Sequence, residues 1–369
     1  MMQIENIDIS GNIYQVIVGS NISDKIDIKL FVNKKVIFIN DKNVHIKKYQ
    51  IEIQKVAESI HEIKSPFNGE ENKTYVSFEF FCEKILSFHP NRKNTIIVII
   101  GGGAIGDMGH FVGASILRGI DVVRIPTTLL SMVDSSIGGK TCINSAKLKN
   151  MIGCFNQPKM VICDIDFLIT LSRREILSGY AELLKHALIF SADMFNELDK
   201  NIHLWDDINE HKEWLTKIIS KSILIKYHFI KDDELDTKGQ RAILNFGHTV
   251  GHAIEGYQNS NYFHGEAIAM GMYIEAKIFN EEIAKKIKLH LQKIGLFKAD
   301  FIKQNPAYLI HLMSGDKKIE LDKMIKIDEF CCQEKLPIIM LSGIGSASLN
   351  IGVDHKIILN IIKNIAQNK

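Results

Sequence analysis

The sequence predicts an α/β first half built on a parallel sheet and a second half built of helices. Three observations predict it. Up to about residue 171 short β-branched runs alternate with helical or turn-rich stretches, and a glycine-rich turn follows one of those runs directly. Beyond Leu171 the apolar residues recur at helical spacing. With 369 residues and 46% apolar content, the chain is long enough for two ordinary domains, each with its own core.

The strand runs are KKVIFIND (34–41), NTIIVIIGGG (94–103), DVVRIPTT (121–128) and PKMVICDI (158–165), a rhythm that implies parallel strands with crossover helices. The helical stretches are REILSGYAELLKHALIF, KEWLTKIISKSILIKYHFI and GEAIAMGMYIEAKIFNEEIAKKIKLHLQKIG. Domains are therefore expected at 1–171 and 172–369. No repeat, heptad array or low-complexity linker separates them, so a cleft in a shared interface is the expected active site.

Lys plus Arg number 45 and Asp plus Glu 43, a formal charge of +2 that gives no general electrostatic case for nucleic acid or an anionic membrane. The N-terminus lacks a basic region followed by an apolar run, and no stretch of about 18 apolar residues occurs, so a cytoplasmic protein is expected. The cysteines (Cys82, Cys142, Cys154, Cys163, Cys331, Cys332) form no CxxC pair and read as free thiols.

Gly101, Gly103 and Gly106 of GGGAIGD fit G-x-G-x-x-G between a strand end and a helical pattern, the context in which backbone N–H groups hold a pyrophosphate. The alternative is a tight turn that needs glycine only for positive φ. Pro126, Thr127, Thr128, Asp134, Ser135, Ser136, Gly138, Gly139, Lys140 and Thr141 offer donors for phosphate or ribose, or else form a solvated loop with helix caps. In NFGHTVGHAIE, His248 and His252 stand at i, i+4, and His264 follows in FHGE, a concentration of histidines that suits a metal site. By spacing alone, His248 and His252 would be co-ligands. A carboxylate is available on SGYAELLKHALI, where Glu182, Lys185 and His186 share a face, although a Glu beside a Lys is usually a simple ion pair.

Taken together, GGGAIGD, RGIDVVRIPTTLLSMVDSSIGGKT, KNMIGCFNQP, DFLITL, GYAELLKHALI, RAILNFGHTVGHAIE, HGEAIAMGM and DKK occur in the order found in 3-dehydroquinate synthases, and the chain resembles that family over about residues 35–345. The resemblance implies a Rossmann-like NAD domain followed by an all-α domain, the dehydroquinate synthase-like fold. It implies a zinc or cobalt ion on Glu182, His248 and His264, which releases His252 to the substrate phosphate along with Asn245, Asn150, Lys140 and Lys317. Arg241 and Lys226 match positions that hold a substrate carboxylate, Lys185 lies near the metal-bound hydroxyls, and Asp134 joins the catalytic set. Arg118 resembles an arginine that reaches a neighbouring subunit, which implies a homodimer.

The same resemblance places NAD contacts on Asp41, Asn43, Gly69, Glu70, Lys73, Gly102, Gly103, Gly106, Asp107, Thr127, Thr128, Lys140, Lys149, Phe167, Thr170 and Leu171. The implied reaction converts 3-deoxy-arabino-heptulosonate 7-phosphate to 3-dehydroquinate and phosphate, a shikimate pathway step, by transient oxidation, phosphate elimination, re-reduction and aldol closure. Three departures fall in the loops: Cys142 and His110 stand where glycine is usual, and Ser145-Ala146-Lys147-Leu148 replaces a common His/Thr-Pro-x-Gly. They raise the alternative of another sugar phosphate cyclase, of the 2-deoxy-scyllo-inosose or 2-epi-5-epi-valiolone synthase type. A metal-dependent alcohol or glycerol dehydrogenase is a further alternative.

Overall fold

The computed structural model describes residues 2–146, 149–255, 262–298 and 335–367, arranged in two compact units. The first comprises Met1–Ser172 with Asp206–Leu235, and the second Arg173–Trp205 with Asp236–Lys369. The expected helical half 172–369 is therefore not one unit. Its segment 206–235 carries a long helix that packs on the first unit, because apolar helical periodicity shows that a face is buried but not against what.

In the first unit, strands β1 (Met2–Ile9), β2 (Asn12–Gly19), β3 (Lys35–Asn40), β4 (Ser59–Lys64), β5 (Thr95–Gly101), β6 (Asp121–Pro126) and β9 (Met160–Asp164) form one sheet in the order β1-β2-β9-β6-β5-β3-β4. β1 and β2 are an antiparallel hairpin, and the other neighbours pair in parallel. β7 (Lys140–Ile143) and β8 (Ile152–Phe155) make a separate antiparallel pair.

Period-2 alternation sends β5 side chains to opposite faces. Ile96, Val98 and Ile100 join a core with Tyr49 and Ile53 of α1 (Lys47–Gln54), while Ile97 and Ile99 join one with Phe81 of α2 (Tyr75–Ser87) and Met108 of α3 (Gly103–Ser115). A strand buried on both faces has to be apolar at every position, which is why NTIIVIIG reads as a continuous run. After β3 the chain steps to β4 on one side, and after β5 it steps to β6 on the other. The reversal leaves a crevice beyond the carboxyl ends of β3 and β5, where ligands of open parallel sheets bind. Helix α6 (Lys212–Ile230) completes this unit, with Ser220 Oγ donating to Glu5 and Lys212 pairing with Asp166 at 2.9 Å.

The second unit holds α4 (Arg173–Phe190), α5 (Ala192–Lys200), α7 (His248–Glu255), α8 (His264–Phe279), α9 (Glu281–Ile294) and α10 (His355–Gln367). It is helical, with one addition the periodicity did not signal: a hairpin of β10 (Lys335–Gly343) and β11 (Ser346–Asp354). The hairpin is tied to its surroundings by Gly345 N–H to Leu188 O at 2.8 Å and by Thr249 Oγ1 to Pro337 O at 3.2 Å. Among the described residues, no helix is long and apolar enough to cross a membrane. Cys82, Cys142, Cys154 and Cys163 are free thiols.

Candidate functional site: a carboxylate–histidine cluster and a glycine turn

Glu182 stands in the middle of α4, where every residue from Ser178 to Ile189 is buried. A carboxylate there must be paired or lose its charge. Lys185, one turn on and 2% exposed, donates Nζ to Glu182 Oε2. The other oxygen, Oε1, lies 3.2 Å from His264 Nε2 and 3.6 Å from His248 Nε2. The two histidines open α8 and α7, and their opposite ring nitrogens are engaged. His248 Nδ1 lies 3.3 Å from Phe246 O, and His264 Nδ1 lies 2.9 Å from Glu255 Oε2.

With Nδ1 protonated against a carbonyl or carboxylate, each Nε2 keeps its lone pair toward a common centre, which is how metal-ligating histidines are oriented. The three donor atoms lie within 4.8 Å of one another. One carboxylate and two imidazoles are the donor set of a catalytic zinc-type ion with an open position, so these residues fit a divalent metal. His252 lies beside this cluster, its ring 5.1 Å from that of His248, and its own donor grouping is with Glu255 and His264. The i, i+4 spacing puts His248 and His252 side by side, while the grouping that includes Glu182 holds His264 in place of His252.

Burial works to raise Glu182, but Lys185 and the two histidines outweigh it and hold the carboxyl well below its usual range. Burial and the Lys185 charge push His248 well below its usual value. For His264 burial acts downward, yet hydrogen bonds to Glu182 and Glu255 prevail and raise it to about 10.

Backbone-to-backbone packing places the three ligands. A Cβ on Gly265 would come within 2.1 Å of Ser178 O, and one on Gly271 within 1.9 Å of Gly247 O. Only glycine lets α8 approach α4 and the start of α7 so closely, and Gly247 also needs its φ of +80°. Two further glutamates, unforeseen from the sequence, hold the helix starts. Glu266 accepts Phe263 N–H at 3.0 Å and is gripped bidentately by Arg174 of α4 at 2.9 and 2.7 Å. Glu275 of α8 accepts from Gly247 N–H at 2.8 Å and Val250 N–H at 3.2 Å. The signal for Glu275 was a single acid inside the apolar run AIAMGMYIEA; for Glu266 it was an acid at the third position of its helix.

In the first unit, the residues expected to contact NAD gather at strand ends. Asp41 and Asn43 follow β3, Gly102–Asp107 follow β5, and Thr127 and Thr128 follow β6. Asp41 N–H donates to Ile100 O and Thr127 N–H to Gly101 O, both at 3.0 Å, which ties the three ends together. None of Gly101, Gly102, Gly103 and Gly106 has positive φ, so a left-handed turn is not why they are glycine. Close approach is the reason. A Cβ on Gly106 would lie 1.9 Å from Arg124 Nη2, and one on Gly102 would lie 3.1 Å from Thr128 Cγ2. Gly102 directly precedes α3, whose free first-turn N–H groups suit a pyrophosphate, so the turn fits a dinucleotide.

Lys73, 3% exposed, donates to Asp107 Oδ2 at 3.0 Å and to Asn150 Oδ1. Burial acts against its ammonium, but Asp107 and Glu70 outweigh that and raise it. Cys142 joins this group with Sγ 3.3 Å from Asn150 Oδ1, while Glu70 accepts from Asn144 at 2.8 Å. Gly69 has φ of +43° in the turn before Lys73. Phe167 stacks on Tyr49, and Thr170 Oγ1 and Leu171 N–H close its turn on Phe167 O and Leu168 O. His110 is buried, with Nε2 2.9 Å from Asn156 Oδ1 and Nδ1 3.4 Å from Arg124 Nη1.

Lys226 of α6 donates to Asp134 Oδ1 at 2.7 Å, where Asp134 sits in a π-helical turn, Ser131–Ser135. Like Lys185, Lys226 and Arg241 are buried cations, at 5% exposure each. Lys140, Lys149, Asn150, Asn245, His252 and Arg118 are exposed. Lys317 and the Lys147-Leu148 pair lie outside the described residues.

An α/β unit with a glycine turn at its strand ends, together with a helical unit presenting one glutamate and two histidines, suits a nucleotide- and metal-dependent enzyme. The chain is similar to the crystal structure of 2-deoxy-scyllo-inosose synthase complexed with carbaglucose-6-phosphate, NAD+ and Co2+, at a TM-score of 0.81 and 26% identity over 98% of this chain and 99% of that one. Within that class the chain belongs to the 3-dehydroquinate synthase family. Residues 65–178 match the family's N-terminal model and residues 179–319 its C-terminal model. The 3-dehydroquinate synthase of Thermoanaerobacter pseudethanolicus is 38% identical over 80% of each chain. A 3-dehydroquinate synthase of Prochlorococcus marinus is 33% identical over 97% of this chain and 98% of its own length.

Proposed function

We propose that the protein is a 3-dehydroquinate synthase, a lyase that converts 3-deoxy-arabino-heptulosonate 7-phosphate to 3-dehydroquinate and phosphate with NAD used catalytically. The observation that carries the proposal is the convergence of Glu182 Oε1, His248 Nε2 and His264 Nε2 in a chain of this family. The similar synthase structure was solved with NAD+ and Co2+, which supports the same pair of cofactors here. Bound at these residues, NAD would supply reversible hydride acceptance and the metal the acidification of a substrate hydroxyl.

The chain's own residues do the rest. Glu182 is kept anionic by Lys185, and Glu255 and the Phe246 carbonyl keep the histidine Nε2 atoms turned inward. Lys226 and Arg241 hold the substrate carboxylate, a role for which a charge paired with Asp134 at rest is already oriented in the case of Lys226. His252, Asn245, Asn150, Lys140 and Lys317 orient the phosphate, whose own oxygen takes the neighbouring C–H proton as it leaves. Ring opening and aldol closure then need mainly a restrained conformation. Arg118, exposed and held at φ of +63° beside Leu117 at +50°, contributes to the second site of a homodimer.

The test is phosphate release from 3-deoxy-arabino-heptulosonate 7-phosphate with NAD and Zn2+ or Co2+. Release without net NADH is the expected result. Release only from glucose 6-phosphate or sedoheptulose 7-phosphate would reassign the substrate, and net NADH from a simple alcohol would make the protein a dehydrogenase.

A further inference from the structure

Glu275 is wholly buried on α8 between Ile274 and Ala276, and the roles above do not use it. Among the described residues its partners are backbone N–H groups alone: Gly247 at 2.8 Å, Val250 at 3.2 Å, and Thr249. Among the described residues no cation pairs with it. A carboxyl in such a place costs free energy that an apolar side chain would not, so what it bonds to is the reason for its presence. Those donors flank His248 on both sides. Helix α7 is only eight residues long, too short to hold itself, and Gly247 before it has no side chain with which to cap it. The free N–H groups of its first turn are satisfied from a neighbouring helix.

We propose that Glu275 is a positioning residue for the metal centre, fixing the first turn of α7 and thereby the aim of His248 Nε2 at the point it shares with Glu182 and His264. The proposal rests on the reading of those three residues as metal ligands. It differs from a plain packing role in what it controls. The carboxyl grips the backbone on either side of one ligand, so its loss lets that ligand turn while Glu182 and His264 keep their own supports in Lys185 and Glu255. A Gln in its place keeps the shape and one acceptor but turns an N–H donor toward another N–H donor.

The experiment titrates the chelator-stripped full chain with Co2+, following the visible absorption that reports ligand geometry, alongside thermal unfolding of the metal-free protein. Glu275→Gln is expected to bind Co2+ about 10–100-fold more weakly, the usual effect of losing a residue that orients a ligand, with an altered visible spectrum. Unchanged affinity and spectrum, whatever happens to the metal-free melting temperature, would overturn the proposal, since a purely structural cap predicts that outcome. If Glu275→Gln does not fold, Glu275→Asp keeps an acceptor carboxyl but draws it back from the Gly247 and Val250 N–H groups. The same weakening is expected, and intact affinity again overturns the proposal. The ligand reading is tested in a separate arm: an unsubstituted chain that takes up no Co2+, or a His264→Ala variant that takes it up equally well, removes that reading and the role of Glu275 with it.

Discussion

The glycine turn of the first unit and the histidine cluster of the second are both built on glycines, but they use them differently. At the turn, short segments follow three adjacent strand ends, and the sheet topology delivers them with a few main-chain bonds. In the cluster, ligands from three helices meet because Gly265 and Gly271 allow backbone to lie against backbone, while Glu275 and Glu266 hold the helix starts. A site assembled from strand ends tolerates small changes in its loops. One assembled from helix contacts at van der Waals limits does not, because an interior that dense has no slack.

The largest effect that would sharpen this contrast is at the ligands themselves. His264→Ala is expected to abolish phosphate release through loss of the metal, whereas His252→Ala keeps stoichiometric metal and slows elimination. Metal analysis of the purified variants decides the matter; a loaded His264→Ala beside an empty His252→Ala would show the assignment to be wrong. Next come the glycines. Gly271→Ala places a Cβ 1.9 Å from Gly247 O and is expected to cost at least about 1–3 kcal/mol of stability together with metal affinity. Gly102→Ala meets only a Thr128 methyl at 3.1 Å, so its melting temperature should barely move while NAD affinity falls. Equal loss of stability in the two variants would break the comparison.

The last effect is confined to acid pH. His110 is held to about 3, first by burial and then by Arg124. Below about pH 6.5 the unfolded chain therefore binds a proton that the folded chain refuses, so stability present above that pH is lost as pH falls toward 3. His110→Gln should flatten the acid limb of a stability–pH curve without touching metal affinity. An unchanged limb would mean that other groups govern it.

Much of this was legible in advance, and for identifiable reasons. The run NTIIVIIGGG announced a strand buried on both faces followed by a close turn, because period and composition are local properties. The motif order pointed to Glu182 over His252 as the partner of His248 and His264. Helical spacing alone pointed the other way, since it places His248 and His252 on one face but says nothing of which ring nitrogen is tied back. Phe246 O and Glu255 each engage one ring nitrogen, of His248 and of His264, and both are tertiary or turn contacts. The hairpin β10–β11 and the allegiance of α6 were hidden for the same kind of reason: an apolar stripe does not name what it packs against.

By itself, then, the sequence determined the parallel sheet, the glycine turn, the helical character of the later chain and, through its ordered motifs, the family. These rest on periodicity and on residue types that have few other uses in that order. Only the tertiary structure decided that the turn glycines answer to Arg124 and Thr128 instead of to a left-handed backbone, and that segment 206–235 belongs with the sheet. It also showed that a lone acid at position 275 grips the backbone around His248. Each of these is a contact between residues distant in sequence, and no local pattern encodes which distant partner a buried group will meet.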